Sequence, residues 1–246
     1  MPFFMTNYWL EHGDRWAEIY DSYIGAGDAL DVVAFVERSG SEEVLEFGIG
    51  TGRLAIPLQM KGVQVHGIEI SPHMVEVLRT KPGGQNIPVT MGDFCDVLVD
   101  KLFPLVLIPL HTVFALTSQQ RQIDCLTNAA RHLTQGGVVA LQAFVPDATR
   151  FSNDTKTEPL TLEDDRVMLD VALHTAAFQR VDSVHIVFEP QRTRFLRGAL
   201  RYASPGELDL MARLAGLQLR ARSEDWKGTP FSVRSEAHVS LYEAIG

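Results

Sequence analysis

An apolar run that ends in three alternating glycines is the feature that most constrains this chain. Residues 44–47 have the pattern of a buried strand with one acid, Glu46, and Gly48, Gly50 and Gly52 follow at every second position. Glycine adopts backbone conformations that other residues avoid and lets a ligand approach the main chain closely. An acid at the end of the same strand attracts a cationic ligand. The segment therefore predicts a strand-to-helix turn that binds a small molecule.

Short apolar runs alternate with amphipathic segments between residues 43 and 145. The predicted strands are 44–47, 63–70, 87–91, 105–109 and 138–144, and the predicted helices are 51–61, 72–80 and 119–132. Alternation on this scale indicates a parallel sheet that is covered by helices on both faces. Pro72 after Ser71 is a typical helix start, and Gly136-Gly137 is a typical stop before the last of these strands.

The segments on either side of this region have different patterns. Two helices are predicted at 14–23 and 28–37. The polar stretch 146–165 is predicted to be a loop, and the alternation that follows it up to residue 202 predicts an antiparallel insert of two or three strands. Ser204-Pro205-Gly206-Glu207 predicts a capping box that opens a last helix, before two further strands. We therefore expect a helical N-terminal cap at 1–40, a ligand-binding core at 41–145, the insert at 146–203 and a closing segment at 204–246.

The charge balance of the chain disfavours polyanionic partners. Its 246 residues carry a formal net charge of −9 with a pI of about 5.3, so no overall basic field attracts nucleic acid or an anionic membrane. The longest apolar run, 102–116, is interrupted by prolines and is too short to span a bilayer. Cys95 and Cys125 lack metal-ligand spacing, and the first residues lack a basic segment before an apolar core. We expect a cytoplasmic protein without a metal site, a membrane partner or a nucleic-acid partner.

The spacing of the glycines distinguishes between two classes of nucleotide-binding turn. A dinucleotide fingerprint, G-x-G-x-x-G, requires glycine at position 53, where this chain has Arg53. The stretch Glu46-Phe47-Gly48-Ile49-Gly50-Thr51-Gly52 instead resembles motif I of the class I S-adenosylmethionine-dependent methyltransferases. The resemblance implies that Gly48, Gly50 and Gly52 wrap the methionine portion of S-adenosylmethionine. It also implies that Glu46 faces the ammonium group of this cofactor.

Later motifs extend the resemblance to about residues 40–145. Glu69 ends the second predicted strand, and the resemblance implies that this acid accepts both ribose hydroxyls, with Ile70 beside it. Asp93 follows the third strand, and the resemblance implies that it accepts from the adenine amino group while Phe94 packs on the ring. Each residue alone also fits a solvated acid or an ordinary turn. Their order and spacing together favour the cofactor site.

The flanking segments more loosely resemble bacterial methyltransferases that act on small molecules, often secondary metabolites. The similar segments include 17–21, 110–116 and 207–212. This resemblance implies a lid that closes on the cofactor with Tyr20 near it, contact with the cofactor at Leu110, and an insert that shapes either the substrate pocket or a dimer contact. Arg53 either reaches the methionine carboxylate or lies on the surface.

His111 is the leading candidate for a catalytic residue. It follows the fourth predicted strand, at the carboxyl edge where doubly wound sheets bind their ligands. Because an amine must be neutral to attack and a phenol becomes more reactive when it loses its proton, a histidine beside the methyl group suits either acceptor. A loop histidine that only holds its backbone in shape is an equal alternative. His174 and His185, in the insert, are weaker candidates for the acceptor pocket.

The sequence thus predicts a Rossmann-like class I methyltransferase fold, with a mixed seven-stranded sheet, a helical lid and an antiparallel β insert after strand 5. The expected function is transfer of a methyl group from S-adenosylmethionine to O or N of a small organic acceptor. An RNA or protein methyltransferase, a protein that binds the cofactor without turnover, and a nucleotide-dependent oxidoreductase stay as alternatives. A homodimer is one of the assemblies that the insert could support.

Overall fold

The computed structural model describes residues 13–25 and 27–246, and every structural statement below concerns these residues. Residues 1–12 and Ala26, which belong to the lid expected at 1–40, lie outside the described residues, and so do the predictions that fall on them. The boundaries expected for the four segments stay predictions. None of the helices in the described ranges is long and apolar enough to cross a membrane.

The main sheet has seven strands in the described chain, in the order β10-β11-β5-β4-β1-β2-β3. These strands are β1 Glu43–Phe47, β2 Gln64–Glu69, β3 Val89–Met91, β4 Phe103–Ile108, β5 Leu133–Phe144, β10 Leu217–Ser223 and β11 Ala237–Ala244. Neighbouring strands from β3 to β5 are parallel, while β11 is antiparallel to both β5 and β10. The predicted mixed seven-stranded sheet is confirmed.

Helices cover this sheet. They are α1 Tyr20–Ile24, α2 Ala29–Ser39, α3 Ala55–Met60, α4 Pro72–Thr80, α5 Thr112–Ala115, α6 Gln119–Arg131 and α7 Pro205–Leu214. Residues 44–47 of β1 and 105–108 of β4 are almost fully buried, as expected for parallel strands covered on both faces. Two clusters of buried apolar side chains lie on the two sides of the sheet. This packing fixes the register that brings the carboxyl ends of β1, β2 and β4 together.

A second, antiparallel sheet forms the insert, and it contains one strand more than the sequence predicts. Its strands are β6 Thr155–Leu162, β7 Val167–Thr175, β8 Arg180–Glu189 and β9 Arg192–Arg201, paired in that order. The prediction of a loop over 146–165 is therefore wrong for β6. This strand lies at the sheet edge, is mostly polar and exposed, and has a register shift between Pro159 and Thr161. An edge strand needs no apolar alternation, so the hydrophobic pattern gave no signal.

Local boundaries also shift for identifiable reasons. The helix predicted from residue 51 begins at Ala55, because the glycine turn continues to residue 54. Strand β5 begins at Leu133 rather than at 138, and Gly136-Gly137 lies in a bulge within it rather than before it. Ser204 caps α7 by accepting a hydrogen bond from the Glu207 N–H, but the Glu207 carboxylate accepts from Arg201 at 2.6 Å. The predicted capping box is thus only half formed.

Gly67, in the centre of β2, tests how closely the glycine turn packs on the sheet. A Cβ at this position would lie 2.4 Å from Ile49 Cδ1 and 2.5 Å from Ile49 Cβ. We expect Gly67→Ala to destabilise the fold by about 1–3 kcal/mol in urea unfolding, because a buried, β-branched side chain must move. Gly206→Ala is the matched control, since a Cβ there meets no described atom within 4 Å. It should leave stability equal or higher, because alanine favours helix. Equal losses in the two variants would contradict the packing argument.

Candidate active site

The site lies at the carboxyl ends of the central parallel strands. Strand β1 pairs with β2 on one side and with β4 on the other, with Glu46 opposite Gly67 and Leu107. The chain continues from β1 to β2 and β3 on one side and then crosses to β4 on the other. Open α/β sheets bind ligands where the strand order reverses in this way. The turns after β1, β2 and β4 therefore build the site.

The three glycines of the turn have separate tasks. Their φ angles are 72° at Gly48, 55° at Gly50 and 81° at Gly52, all in the left-handed region. A Cβ at Gly52 would lie 2.3 Å from Leu78, so this glycine lets the turn pack against α4. For a Cβ at Gly50 the nearest described atom is the Gly48 carbonyl oxygen at 3.9 Å. Gly50 therefore presents its backbone to open space, where a ligand can approach.

Glu46 is a buried carboxylate with an unmet need for a positive partner. The residue is 2% exposed, and its Oε2 atom has no hydrogen-bond partner in the described ranges. Burial raises the pKa of Glu46 from 4.5 to about 8, Arg53 opposes this rise and Glu69 adds to it. A buried charge without a partner is unfavourable. A ligand ammonium group would supply the missing charge and donor, so this residue fits the role that the resemblance implies.

Glu69 holds the turn together. Its carboxylate accepts hydrogen bonds from the backbone N–H groups of Gly50 at 2.9 Å, Ile70 at 3.0 Å and Ser71 at 2.9 Å. A carboxylate has about four acceptor positions, so one is left for a ligand hydroxyl. Binding both ribose hydroxyls would require release of one backbone N–H. The roles of Glu69 and Ile70 toward the cofactor stay predictions.

The Arg53 side chain is mostly shielded from solvent, so the alternative that placed it on the surface is wrong. Its side chain is 8% exposed and pairs with Asp28 at 2.8 Å. Asp28 also accepts from Gln142 Nε2 at 2.7 Å and from Trp226 Nε1 at 3.0 Å. Burial alone would raise the pKa of Asp28, but these three hydrogen bonds lower it. Asp28, Gln142 and Trp226 were missed in the sequence; the only available signal was a polar Gln142 inside an apolar strand.

Tyr20, in α1, faces the same acids. Burial raises the pKa of its hydroxyl to about 12, with Arg53 opposing and Glu46 and Glu69 adding to the rise. The role of Tyr20 toward the cofactor stays a prediction.

A polar contact fastens α1 to the glycine turn. Asp21 accepts a hydrogen bond from Thr51 Oγ1 at 2.6 Å and forms an ion pair with Lys81. Lys81 also donates to the Thr51 carbonyl oxygen at 2.7 Å. The N-terminal helix therefore covers the turn in the structure.

The predicted adenine-side residues follow β3. Asp93 accepts from the Cys95 N–H at 2.9 Å and from Arg121 at 2.7 Å, so its carboxylate is already paired. The Phe94 ring stacks on Phe47, with 5.6 Å between the ring centroids. A contact of Asp93 or Phe94 with adenine stays a prediction.

His111 occupies an unusual backbone position. Leu110 and His111 have φ angles of 47° and 61°, and two successive non-glycine residues in the left-handed region carry strain that is typical of functional sites. The Leu110 N–H donates to Gln142 Oε1 at 2.8 Å, which supports this turn. His111 Nδ1 is buried and unpartnered among the described residues, and its ring packs against Phe144.

The titration of His111 limits what it can do. Burial lowers its pKa to about 4, with Asp28 opposing. The imidazole is therefore neutral at neutral pH. A neutral imidazole accepts a hydrogen bond well, but with so low a pKa it is a poor base. His111 therefore suits orientation of the methylated substrate better than removal of a proton from it.

A cavity of about 910 Å³ lies between His111 and the insert. The ends of β5 and β11 form one side, and β7, β8 and β9 form the other. Both His174 and His185 line it, as do the polar residues Lys156, Asp170, Ser183 and Tyr202, which the sequence did not single out. In the described chain the wall carries three carboxylates and three cationic side chains, at Asp147, Asp170, Glu236, Arg150, Lys156 and Arg234. The wall therefore combines apolar side chains with charged groups whose formal charges balance.

Fold and site together define a class I methyltransferase. A family model described as a methyltransferase domain matches residues 44–137, which contain the glycine turn, Glu69 and Asp93. The CcbJ methyltransferase from Streptomyces caelestis is 34% identical in a structural match that covers 96% of this chain and 98% of that one, with a TM-score of 0.88. The chain belongs to the S-adenosylmethionine-dependent methyltransferases, and S-adenosylmethionine is its cofactor.

Two further relatives are similar over most of the chain. The cypemycin N-terminal methyltransferase of a Streptomyces species is 27% identical over 201 residues, which span 81% of this chain and 82% of that protein. The structure of CalS10, an amino pentose methyltransferase from Micromonospora echinaspora, matches with a TM-score of 0.68 at 18% identity and covers 98% of both chains. The second of these likenesses concerns the fold.

Replacement of Glu46 by glutamine tests the buried charge. Because the folded-state pKa of about 8 exceeds the ordinary 4.5, folding keeps a proton that the unfolded chain releases, and this contribution to stability is lost as pH rises from about 5 to 8. Glu46→Gln removes that loss. We expect the stability of the ligand-free variant relative to the parent to increase by roughly 3–4 kcal/mol from about pH 5 to pH 8 in urea unfolding. A difference in unfolding free energy that stays constant across this pH range would show that the pKa of Glu46 is not raised.

Proposed function

We propose that this enzyme transfers the methyl group of S-adenosylmethionine to the nitrogen of a small amine. The observation that carries the proposal is the cavity of about 910 Å³, which is lined by His111 near the glycine turn. The His111 ring is neutral, and its Nδ1 is unpartnered among the described residues. Thr112 follows His111, and its Cγ2 lies 3.3 Å from the position of a Cβ at Gly48. The acceptor cavity and the cofactor turn are therefore adjacent.

The glycine turn and its two acids supply candidate partners for the methionine and ribose portions of the cofactor. Glu46 would face the ammonium group, Gly48 and Gly50 would present backbone to the methionine portion, and Glu69 would accept from the ribose. When bound, S-adenosylmethionine supplies an electrophilic methyl group on a sulfonium. The protein aligns the acceptor with this methyl group and excludes water, and such alignment can supply on the order of 7 kcal/mol or more.

The properties of His111 favour nitrogen over oxygen as the methylated atom. An alcohol or phenol gains reactivity by losing its proton, which requires a base of suitable pKa. With a pKa of about 4, His111 is a weak base for that task. A neutral amine attacks with its own lone pair, so it needs only a hydrogen-bond acceptor that orients its N–H. The name of the cypemycin N-terminal methyltransferase points to nitrogen in that protein, and the name of CalS10 gives an amino sugar, an amino pentose, as what it methylates.

The size of the cavity favours a small acceptor. Cavities of about 300–1,000 Å³ typically hold molecules of drug size. The acidic chain also gives no electrostatic reason to bind RNA. We therefore place small amines ahead of macromolecular acceptors.

The proposed function is tested by incubating the protein with S-adenosylmethionine and a panel of small primary and secondary amines, alcohols and phenols. We expect S-adenosylhomocysteine to form with amines and the product to carry the methyl group on nitrogen, as detected by mass spectrometry. Turnover confined to alcohols or phenols would refute the choice of nitrogen. Turnover with no member of the panel, while the cofactor binds, would refute small acceptors of these classes.

Cofactor binding is tested at the turn. We expect Gly50→Ala and Glu69→Ala to weaken S-adenosylhomocysteine binding by at least about tenfold in calorimetric titration, because the first strains a left-handed position and the second removes the group that orders the turn. Gly206→Ala, on α7, is the control and should bind as the parent does. Unchanged affinity in both turn variants would place the cofactor elsewhere.

His111→Asn tests the role of the histidine, since asparagine tolerates the left-handed backbone. We expect kcat for the best amine to fall by about tenfold to a hundredfold while cofactor affinity stays within about twofold, because only an orienting hydrogen bond is lost. The parent's kcat should show no histidine inflection between about pH 5.5 and 8, since the pKa of His111 is about 4. His73→Asn, at an exposed position on α4, is the control. An inflection that disappears in His111→Asn would assign His111 as a base.

A further inference from the structure

Three cross-strand pairs of side chains from the insert sheet form one wall of the cavity. Alternate residues of β7 and β8 face the cavity and pair across the strands: Asp170 with His185, Ala172 with Ser183, and His174 with Val181. The middle pair has small side chains, and Gly198 of β9 continues it beside Ser183. The wall is therefore recessed at its middle pair, with Asp170 and His185 at one end of the recess and His174 at the other.

The two ends differ in how their polar atoms are satisfied. At one end, His174 Nε2 and the Tyr202 hydroxyl form a hydrogen bond of 2.7 Å, and the His174 ring stacks on Phe151. At the other end, Asp170 is 8% exposed and its Oδ1 has no hydrogen-bond partner within the described ranges. His185 Nδ1 is likewise buried and unpartnered in the part of the chain that the structure describes. Buried polar atoms left without a partner cost about 1–3 kcal/mol each.

The formal charges around this end are already balanced. Lys156 Nζ lies 3.3 Å from Asp170 Oδ2 and also contacts the Glu158 carboxylate. Arg150 lies 3.7 Å from Glu158. Among the described residues of this cluster, two carboxylates therefore face two cationic groups. A ligand group that bound here would not need to bring a charge, and a buried extra charge would be unfavourable.

The two unpartnered atoms are both acceptors. His185 Nε2 lies 3.6 Å from Asp170 Oδ1, and the negative charge of this carboxylate favours a proton on Nε2. Burial lowers the pKa of His185, with Asp170 opposing, so the ring is neutral and carries one proton. With that proton on Nε2, the bare lone pair is on Nδ1. The missing partners are thus uncharged hydrogen-bond donors.

We propose that Asp170 and His185 form a subsite that binds hydroxyl groups of the acceptor, so that the substrate is a hydroxylated amine. A hydroxyl is the uncharged donor that Asp170 Oδ1 lacks, and a second hydroxyl serves His185 Nδ1. This inference rests on the proposed function, because the same cavity must hold the amine that is methylated. The subsite would make the enzyme prefer amines that carry hydroxyl groups over amines that lack them.

Three ring amines of one size test the subsite. Cyclohexylamine, trans-4-aminocyclohexanol and trans-1,4-diaminocyclohexane are titrated calorimetrically into the protein saturated with S-adenosylhomocysteine, so that no turnover occurs. We expect the amino alcohol to bind about tenfold more tightly than cyclohexylamine, as for one hydrogen bond to a charged group. The diamine should bind no more tightly than cyclohexylamine, since the cluster is already balanced in charge.

Two variants assign the preference to the proposed residues. In Asp170→Asn and in His185→Phe, which keeps an aromatic ring beside Trp16 and Tyr23, the advantage of the amino alcohol should fall to about twofold or less while cyclohexylamine binds as before. Asp182→Asn is the matched control, because Asp182 is next to Ser183 on β8 and points to the opposite face of the sheet. It should keep the full advantage. Thermal melts confirm that each variant is folded.

Equal affinities for cyclohexylamine and the amino alcohol, or no binding of the amino alcohol, overturn the proposal. A preference for the diamine also overturns it and assigns charge recognition to Asp170. A preference that survives in both variants places the hydroxyl site elsewhere. Methyl transfer to amines without hydroxyl preference would leave the proposed function intact and reject only this subsite, whereas absence of transfer to every amine would reject the function itself.

Discussion

One carboxylate, that of Asp28, connects the parts of the chain that build the site. It accepts from Arg53 after the glycine turn, from Gln142 on β5 and from Trp226 near the C-terminus, residues that are 25, 114 and 198 positions away. Gln142 in turn accepts from the Leu110 N–H and so supports the strained turn that carries His111. The cofactor side and the acceptor side of the site are therefore held by one hydrogen-bonded group.

Arg53 acts electrostatically on both Asp28 and Glu46. Arg53 pairs with Asp28 and also opposes the pKa rise of Glu46, yet burial still raises this pKa to about 8 and leaves Oε2 unpartnered among the described residues. Glu46 therefore holds a proton at neutral pH in the free protein, and a cationic ligand beside it would favour the charged form. Proteins often keep buried polar groups without partners where they bind a ligand, at a cost in stability of the free protein. The site is thus set up for a group that the protein itself does not supply.

The two sheets divide the work of recognition. Parallel strands place backbone and acids at their carboxyl ends, which suits a cofactor that many related proteins share. The antiparallel insert presents alternate side chains of β7 and β8 to the cavity. In the proposed function, its row of small residues and its unpartnered hydrogen-bond acceptors would select the methyl acceptor, so affinity for the cofactor and choice of substrate would depend on separate parts of the chain.

The sequence by itself determined the features that arise from neighbouring residues. These include the glycine turn after β1, the alternation of strands and helices, Glu46 and Glu69 at strand ends, and Ser204 as a cap, because local patterning sets each of them. Tertiary structure alone decided the rest. Edge strand β6 lacks an apolar pattern, the partners of Asp28 come from distant segments, and the pairing of Asp170 with His185 depends on register. Long-range pairing follows from which surfaces pack together, and one-dimensional patterns do not contain that information.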